Sequence, residues 1–173
     1  MNRETPHPED RTPTPLWRGI LVPMDFSAPS EAALAYALRL AGFSKALVYV
    51  CHVIPLPHVL DAFYEHGLEQ PESVKHIRQT VRKRIKEIVL TTGSEVAPRI
   101  HFSEGEAVEK VLEAAAKLQP DLIVMGTHGW RGAKRFLLGS VAEAVVRRAP
   151  CPVLLLRAPV LLTSSEENKG ETP

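Results

Sequence analysis

The sequence is short of cysteine. Cys51 and Cys151 are its only two, and neither belongs to a C-x-x-C pair, so a disulfide framework and thioredoxin-like or thiolate-metal motifs are excluded. No apolar run reaches the ~20 residues needed to span a bilayer, and the N-terminal "MNRETPHPEDRTPTPLW" lacks the apolar stretch of a secretion signal. Charge of one sign is missing as well: with 24% charged residues and a net charge of +1, no global field calls for nucleic acid or an anionic membrane as partner. The expectation is a soluble, cytoplasmic protein in a reducing compartment, whose electrostatic partnerships are local.

What is present is enough apolar material, 45% of 173 residues, for one domain with one sizeable core. Residues 1–16 carry Pro6, Pro8, Pro13 and Pro15 among polar and charged neighbours and read as a disordered leader; residues 158–173, ending "TSSEENKGETP", read as a disordered tail. The domain is expected over 17–157.

Within it, strand-like and helix-like segments alternate. "GILVP" precedes "DFSAPSEAALAYALRLAG", where Ser27 or Ser30 can cap a helix with Leu34, Leu38 and Ala41 on one face and Gly42 as its stop. "ALVYVCHV" is a continuous β-rich run, expected of a central strand covered on both faces. The stretch from Ile54 to Pro71 reads as a long loop. After it, Val74, Ile77, Val81, Ile85 and Ile88 predict an amphipathic helix ended by Gly93, with Lys75, Arg78, Arg82, Lys83 and Lys86 on its other face. "VAPRIHF" predicts a third strand, "GEAVEKVLEAAAKLQP" a third helix with Val108, Val111, Leu112 and Ala115 inward, and "DLIVMG" a fourth strand. Ser140 and Glu143 match an S-x-x-E capping box for a last helix through Arg148, and "CPVLLLR" supplies a fifth strand. The order β-α-β-α-β-α-β-α-β implies an α/β fold, a parallel sheet with helices on both faces.

In such a sheet, ligands bind beyond the carboxyl ends of the strands where the strand order reverses. Two segments leave strands with unusual polar chemistry, "PMDFS" after the first and "GTHGWRGAKRFLLGS" after the fourth. If those strands are neighbours, both loops face one crevice. Gly126 and Gly129 allow a tight turn and close backbone approach, while Gly139 and Ser140 stand at a helix start whose N–H groups attract an anion. Arg131, Lys134 and Arg135 add cationic side chains. Together these favour a polyphosphate, although neither G-x-x-x-x-G-K-[ST] nor G-x-G-x-x-G occurs. The plainer reading is that the glycines only shape the connection and Ser140 only caps its helix.

Gly126, Gly129, Gly139 and Ser140 also satisfy the pattern G-2x-G-9x-G-[ST]. With "ILVPMDFS", "VCHVI", "SEGEAVEKVLEAA", "DLIVMGTHG" and "APCPVLLLR", this chain resembles the ATP-binding kind of universal stress protein over about residues 17 to 157. The resemblance implies a Rossmann-like five-stranded sheet in the order 3-2-1-4-5, and a homodimer paired through the final strand, "PVLLLR". It further implies that Pro23 and Asp25 border the adenosine and Val53 lines the adenine slot. Met125, Gly126, Thr127, His128 and Gly129 would wrap ribose and phosphates, with Arg131 in the same loop. Gly139, Ser140 and Val141 would donate to the phosphates, and a divalent ion, Mg2+ or Mn2+, would be held mainly by phosphate oxygens and water. Trp130 is bulky for a phosphate loop, and the proline-rich leader lies outside the family domain.

Asp25 is the one carboxylate placed near the ligand, so no acid/base pair for hydrolysis is visible, and no catalytic residue is assigned. The expectation is a nucleotide-binding regulator, with slow or absent hydrolysis, whose protein partners the sequence does not name. The competing reading is a dimeric interaction module that binds no nucleotide. His128 as a general base, a metal site from His58, Asp61, Glu65 and His66, nucleic-acid binding by the basic helix face, and redox sensing by either cysteine each yield to a plainer structural reading. A nucleotidyl transferase is disfavoured because signature loops such as S-G-G-x-D-S are absent from this sequence.

Overall fold

The computed structural model describes residues 16–55, 72–128 and 138–157. Along the chain run β1 (Gly19–Pro23), α1 (Ala28–Ser44), β2 (Leu47–Ile54), α2 (Glu72–Thr92), β3 (Arg99–Glu104), α3 (Ala107–Leu118), β4 (Leu122–Gly126), α4 (Ser140–Arg148) and β5 (Val153–Leu156). The strands form one parallel sheet in the order β3-β2-β1-β4-β5. The parallel sheet is what the alternation of apolar runs implies, and its strand order is the one the family resemblance implies.

Each strand sends alternate side chains to opposite faces, and each face is covered by two helices. On one face Ile20, Val22, Val48, Val50, Leu122 and Val124 pack with Ala33, Leu34, Ala37, Leu38 and Ala41 of α1 and Val81 and Ile85 of α2. On the other, Leu21, Cys51, Ile123 and Met125 pack with Val111, Ala114 and Ala115 of α3 and Ala142 and Val145 of α4. Full burial of side chains such as Leu21, Leu34 and Ile123 contributes about 1.5–3 kcal/mol apiece before the entropy of ordering is set against it.

The elements differ from expectation mainly at their ends. Gly42 does not stop α1: the helix runs on to Ser44, and Lys45 at φ 58 turns the chain away. Ser27, rather than Ser30, is the N-cap. β3 starts after Pro98, which has no N–H for the ladder, and continues through Ser103 and Glu104 because β2 extends far enough to pair them. The middle strand is β1, with β2 an interior neighbour.

The capping box is absent. Gly139 is the N-cap of α4 with no side-chain cap bond, Ser140 is the first helical residue, and Glu143 pairs instead with Arg147 one turn on. Two helix faces are also rotated from the expected ones. Ile77 stands about 60° around α2 from Val74 and remains 37% exposed. Leu112 is only half-buried, whereas Ala114 is buried in α3.

Candidate functional site

The crevice begins where β1 and β4 part. They are adjacent, with Ile20 opposite Leu122 and Leu21 opposite Ile123, and no further pair joins them, although β4 stays paired with β5 as far as Gly126. Pro23 helps explain the parting. Gly19 accepts from Asp121 N on the β4 side and Met24 donates to Cys51 O on the β2 side, so strand alternation turns Pro23 toward β4, where it has no N–H to give. β1 and β4 are thus neighbours, as a crevice shared by their two loops demands.

One wall is the turn from Met24 to Ser27. Asp25 Oδ1 accepts from the Ser27 amide at 3.0 Å and from its hydroxyl at 2.6 Å. Phe26 between them is buried at φ 63, a left-handed conformation uncommon for a bulky residue. Ser27 Oγ accepts in turn from the Ser30 amide at 3.4 Å, so the carboxylate is tied to the start of α1. The Asp25 side of the turn is exposed at the mouth of the crevice.

The other wall follows β4. A Cβ on Gly126 would stand 2.6 Å from Pro29 Cβ and 2.9 Å from its carbonyl carbon, so this glycine lets the end of β4 lie against the first turn of α1. Thr127 is buried, donates its amide to Leu156 O at 2.9 Å and accepts from Gly139 N at 2.9 Å. The Nδ1 of His128 is 3.0 Å from Thr127 Oγ1, and Ser27 Oγ lies 3.5 Å from His128 O, bringing the two loops together. Gly139, at φ −64, needs no glycine backbone freedom; a Cβ there would stand 3.2 Å from Thr127 O. Both glycines therefore have packing reasons within their own chain, which the ligand argument alone had not supplied.

At the foot of this wall α4 begins. Glu143 N makes the helix's first backbone bond, to Gly139 O, so the amides of Ser140, Val141 and Ala142 precede the intrahelical ladder. Ser140 is exposed and Val141 half-buried. Aligned N–H groups and the positive dipole end suit an anion. Val53 and Met125 both pack on the sheet face that carries α3 and α4, below the crevice.

Gly129, Trp130, Arg131, Lys134 and Arg135 lie outside the described residues, as do His58, Asp61, Glu65 and His66. Among the described residues no group of three His, Cys, Asp or Glu side chains could hold a metal ion. Burial pushes the Cys51 thiol up to about 11, against the opposing effect of its hydrogen bond with Ser103. Burial, and then Asp121, also raise Cys151. Both thiols are thus held in the protonated, less nucleophilic form.

The basic side of α2 is partly engaged within the chain. Arg78 pairs with Glu104, Arg84 with Glu31 and Lys75 with Glu72. Those contacts, together with guanidinium stacking on Phe26 and Phe102, supply ordinary reasons for much of that charge.

The universal stress protein family model matches residues 17–157. The chain belongs to that family. A universal stress protein of Methanocaldococcus jannaschii is 34% identical over 145 residues, covering 83% of this chain and 84% of its own. Among solved structures, a universal stress protein of Lactobacillus plantarum superposes with a TM-score of 0.63 at 27% identity, covering 81% of this chain and 97% of that one. The universal stress protein of Archaeoglobus fulgidus, solved in complex with dAMP, superposes with a TM-score of 0.56 at 25% identity, covering 80% and 97%.

One part of this universal stress protein's candidate site was missed from sequence, the buried Phe26. The left-handed turn at "DFS" was signalled by Asp and Ser two residues apart, a spacing that favours side-chain-to-backbone bonds. Among the described residues no helix is long and apolar enough to cross a membrane.

Proposed function

We propose that this chain binds ATP in the crevice between β1 and β4 and acts as a nucleotide-binding stress-response regulator, with hydrolysis slow or absent. The observation carrying the reading is the parting of β1 and β4 directly beside the free first-turn amides of α4. Pro23, Asp25 and Val53 would border the adenosine. Met125, Gly126, Thr127 and His128 would follow ribose and phosphates, and Gly139, Ser140 and Val141 would meet the phosphates; Gly129 and Arg131 belong to the same proposal by sequence. The dAMP complex of the Archaeoglobus relative supports an adenine nucleotide as the ligand class. A Mg2+ or Mn2+ ion would arrive with the triphosphate and be held mainly by its oxygens and by water.

Asp25 is the one carboxylate in the described parts of the two loops, and it accepts two hydrogen bonds from Ser27. That supports binding over rapid turnover. Rapid multiple-turnover hydrolysis abolished by Asp25→Ala would contradict this part of the reading. The regulator is proposed to be a cytoplasmic homodimer through β5, which has a partner on only one side among the described residues. Light scattering should then give twice the chain mass.

The deciding experiment is calorimetric titration of Mg-ATP into the nucleotide-stripped full chain, with Ser140→Ala as the control. Ser140 is exposed at the first position of α4, so its loss should leave the fold intact while weakening binding several-fold. Gly139→Val is a poorer control because its side chain would press on Thr127 O whether or not nucleotide binds. Absence of saturable binding by folded wild-type protein would leave a dimeric interaction module that takes no nucleotide.

A further inference from the structure

His52 and Val53 are neighbours in β2 and point to opposite faces of the sheet. Val53 packs on the α3–α4 face, whereas His52 lies among aromatic rings on the α1–α2 face. The His52 ring is 5.4 Å from that of Phe26 and 6.5 Å, edge-on, from that of Phe102. Arg84 stands 4.9 Å from the centre of Phe26, while Arg78 and Arg82 stand 5.5 Å and 5.0 Å from that of Phe102. The two rings flank the histidine, and each is itself held by guanidinium contact.

Its Nδ1 is 2.7 Å from Met24 O. A carbonyl oxygen can only accept, so Nδ1 must carry the proton and donate. Met24 also gives its own amide to Cys51 O at 2.9 Å. Both polar groups of the Met24 backbone are therefore held by β2, immediately before the Asp25–Phe26–Ser27 turn. Phe26, left-handed and buried, presses its ring on the same histidine. A turn in so sparsely populated a conformation persists when its surroundings over-determine it.

We infer that His52 is the positioning residue of the proposed nucleotide site: its Nδ1–H holds Met24 O and its ring seats Phe26, fixing from behind the sheet the turn that presents Asp25 to the ligand. The inference rests on the nucleotide reading and adds a residue that would not touch nucleotide. Releasing the carbonyl would lower the fraction of chains with a binding-competent turn, and apparent affinity falls in proportion to that fraction.

The test compares His52→Phe, which keeps an aromatic ring and loses the donor, with His52→Asn, whose amide nitrogen hangs from Cγ as Nδ1 does. Mg-ATP affinity should fall roughly tenfold in His52→Phe and recover most of the way in His52→Asn, while amide exchange at Phe26 and Ser27 quickens only in the former. A purely structural role would lower the denaturation midpoint and leave affinity alone, which would overturn the inference. Nitrogen-15 spectra of the wild-type imidazole should show a protonated Nδ1; an unprotonated Nδ1 would overturn it even if His52→Phe failed to fold. Failure of wild-type protein to bind Mg-ATP would remove the nucleotide reading and this inference together. Equal binding by wild type and a folded His52→Phe would remove only the role of His52.

Discussion

At Gly126 one absent carbon lets a strand and a helix touch. Gly126→Ala would put Cβ 2.6 Å from a carbon of the rigid Pro29 ring, so β4 or α1 must move. The expected cost is about 1–3 kcal/mol, read as a lowered urea midpoint. Gly139→Ala meets Thr127 O at 3.2 Å and His128 Cα at 3.4 Å, looser contacts than those at Gly126, and should cost less. The positions of both glycines were legible in the sequence, but their packing reasons were not, because Pro29 and Thr127 become neighbours only in the folded chain. Cys51 makes a pH-dependent statement at the same scale. Its thiol is raised to about 11 by burial, so the folded chain retains a proton that the unfolded chain loses near the ordinary thiol value. That contribution is fully present below the ordinary value and is lost as pH rises toward 11. Urea midpoints should fall through this interval more steeply in wild type than in Cys51→Ala.

Among the elements, apolar periodicity told which segment was strand and which was helix, since burial repays one period or the other. It told less about where they stop. Gly42 looked like the end of α1, yet a single helical glycine costs only about 1 kcal/mol and the packing of Leu38 and Ala41 carries the helix past it. Beyond its chain neighbours and the backbone of its own helix, no heavy atom of the described residues lies within 4 Å of where its Cβ would be. Gly42→Ala should therefore stabilise the protein by about 0.5–1 kcal/mol, measurable by chemical denaturation. The missing capping box in α4 has a similar origin. Gly139 is fastened to Thr127 O and takes the N-cap position, so the helix starts one residue earlier than the box requires.

For the whole molecule, the sheet is closed at one end of the β1–β4 seam and open at the other. At the starting end Asp121 accepts from the amides of Arg18 and Gly19, at 2.6 Å and 3.0 Å, and Gly19 O accepts from Asp121 N. Those two amide bonds, with a smaller contribution from the Arg18 charge, hold the Asp121 carboxyl below the usual carboxylate range. A depressed folded value means stability that is present above the unfolded value and lost as pH falls through the folded one. Asp121→Asn should lower stability at neutral pH, flatten the acid limb of the stability profile, and leave Mg-ATP affinity unchanged because the crevice is at the other end. Layer order and the adjacency of β1 and β4 were legible as a pattern, the first from alternating periods and the second through family resemblance. The strap at Asp121 was not, since it joins residues about a hundred positions apart.

The bond from Gly139 N to Thr127 O brings the chain back to the point it left after β4. The end of β4 and the start of α4 therefore keep one spacing, set by a single 2.9 Å contact, as a collar fixes the two ends of a cord.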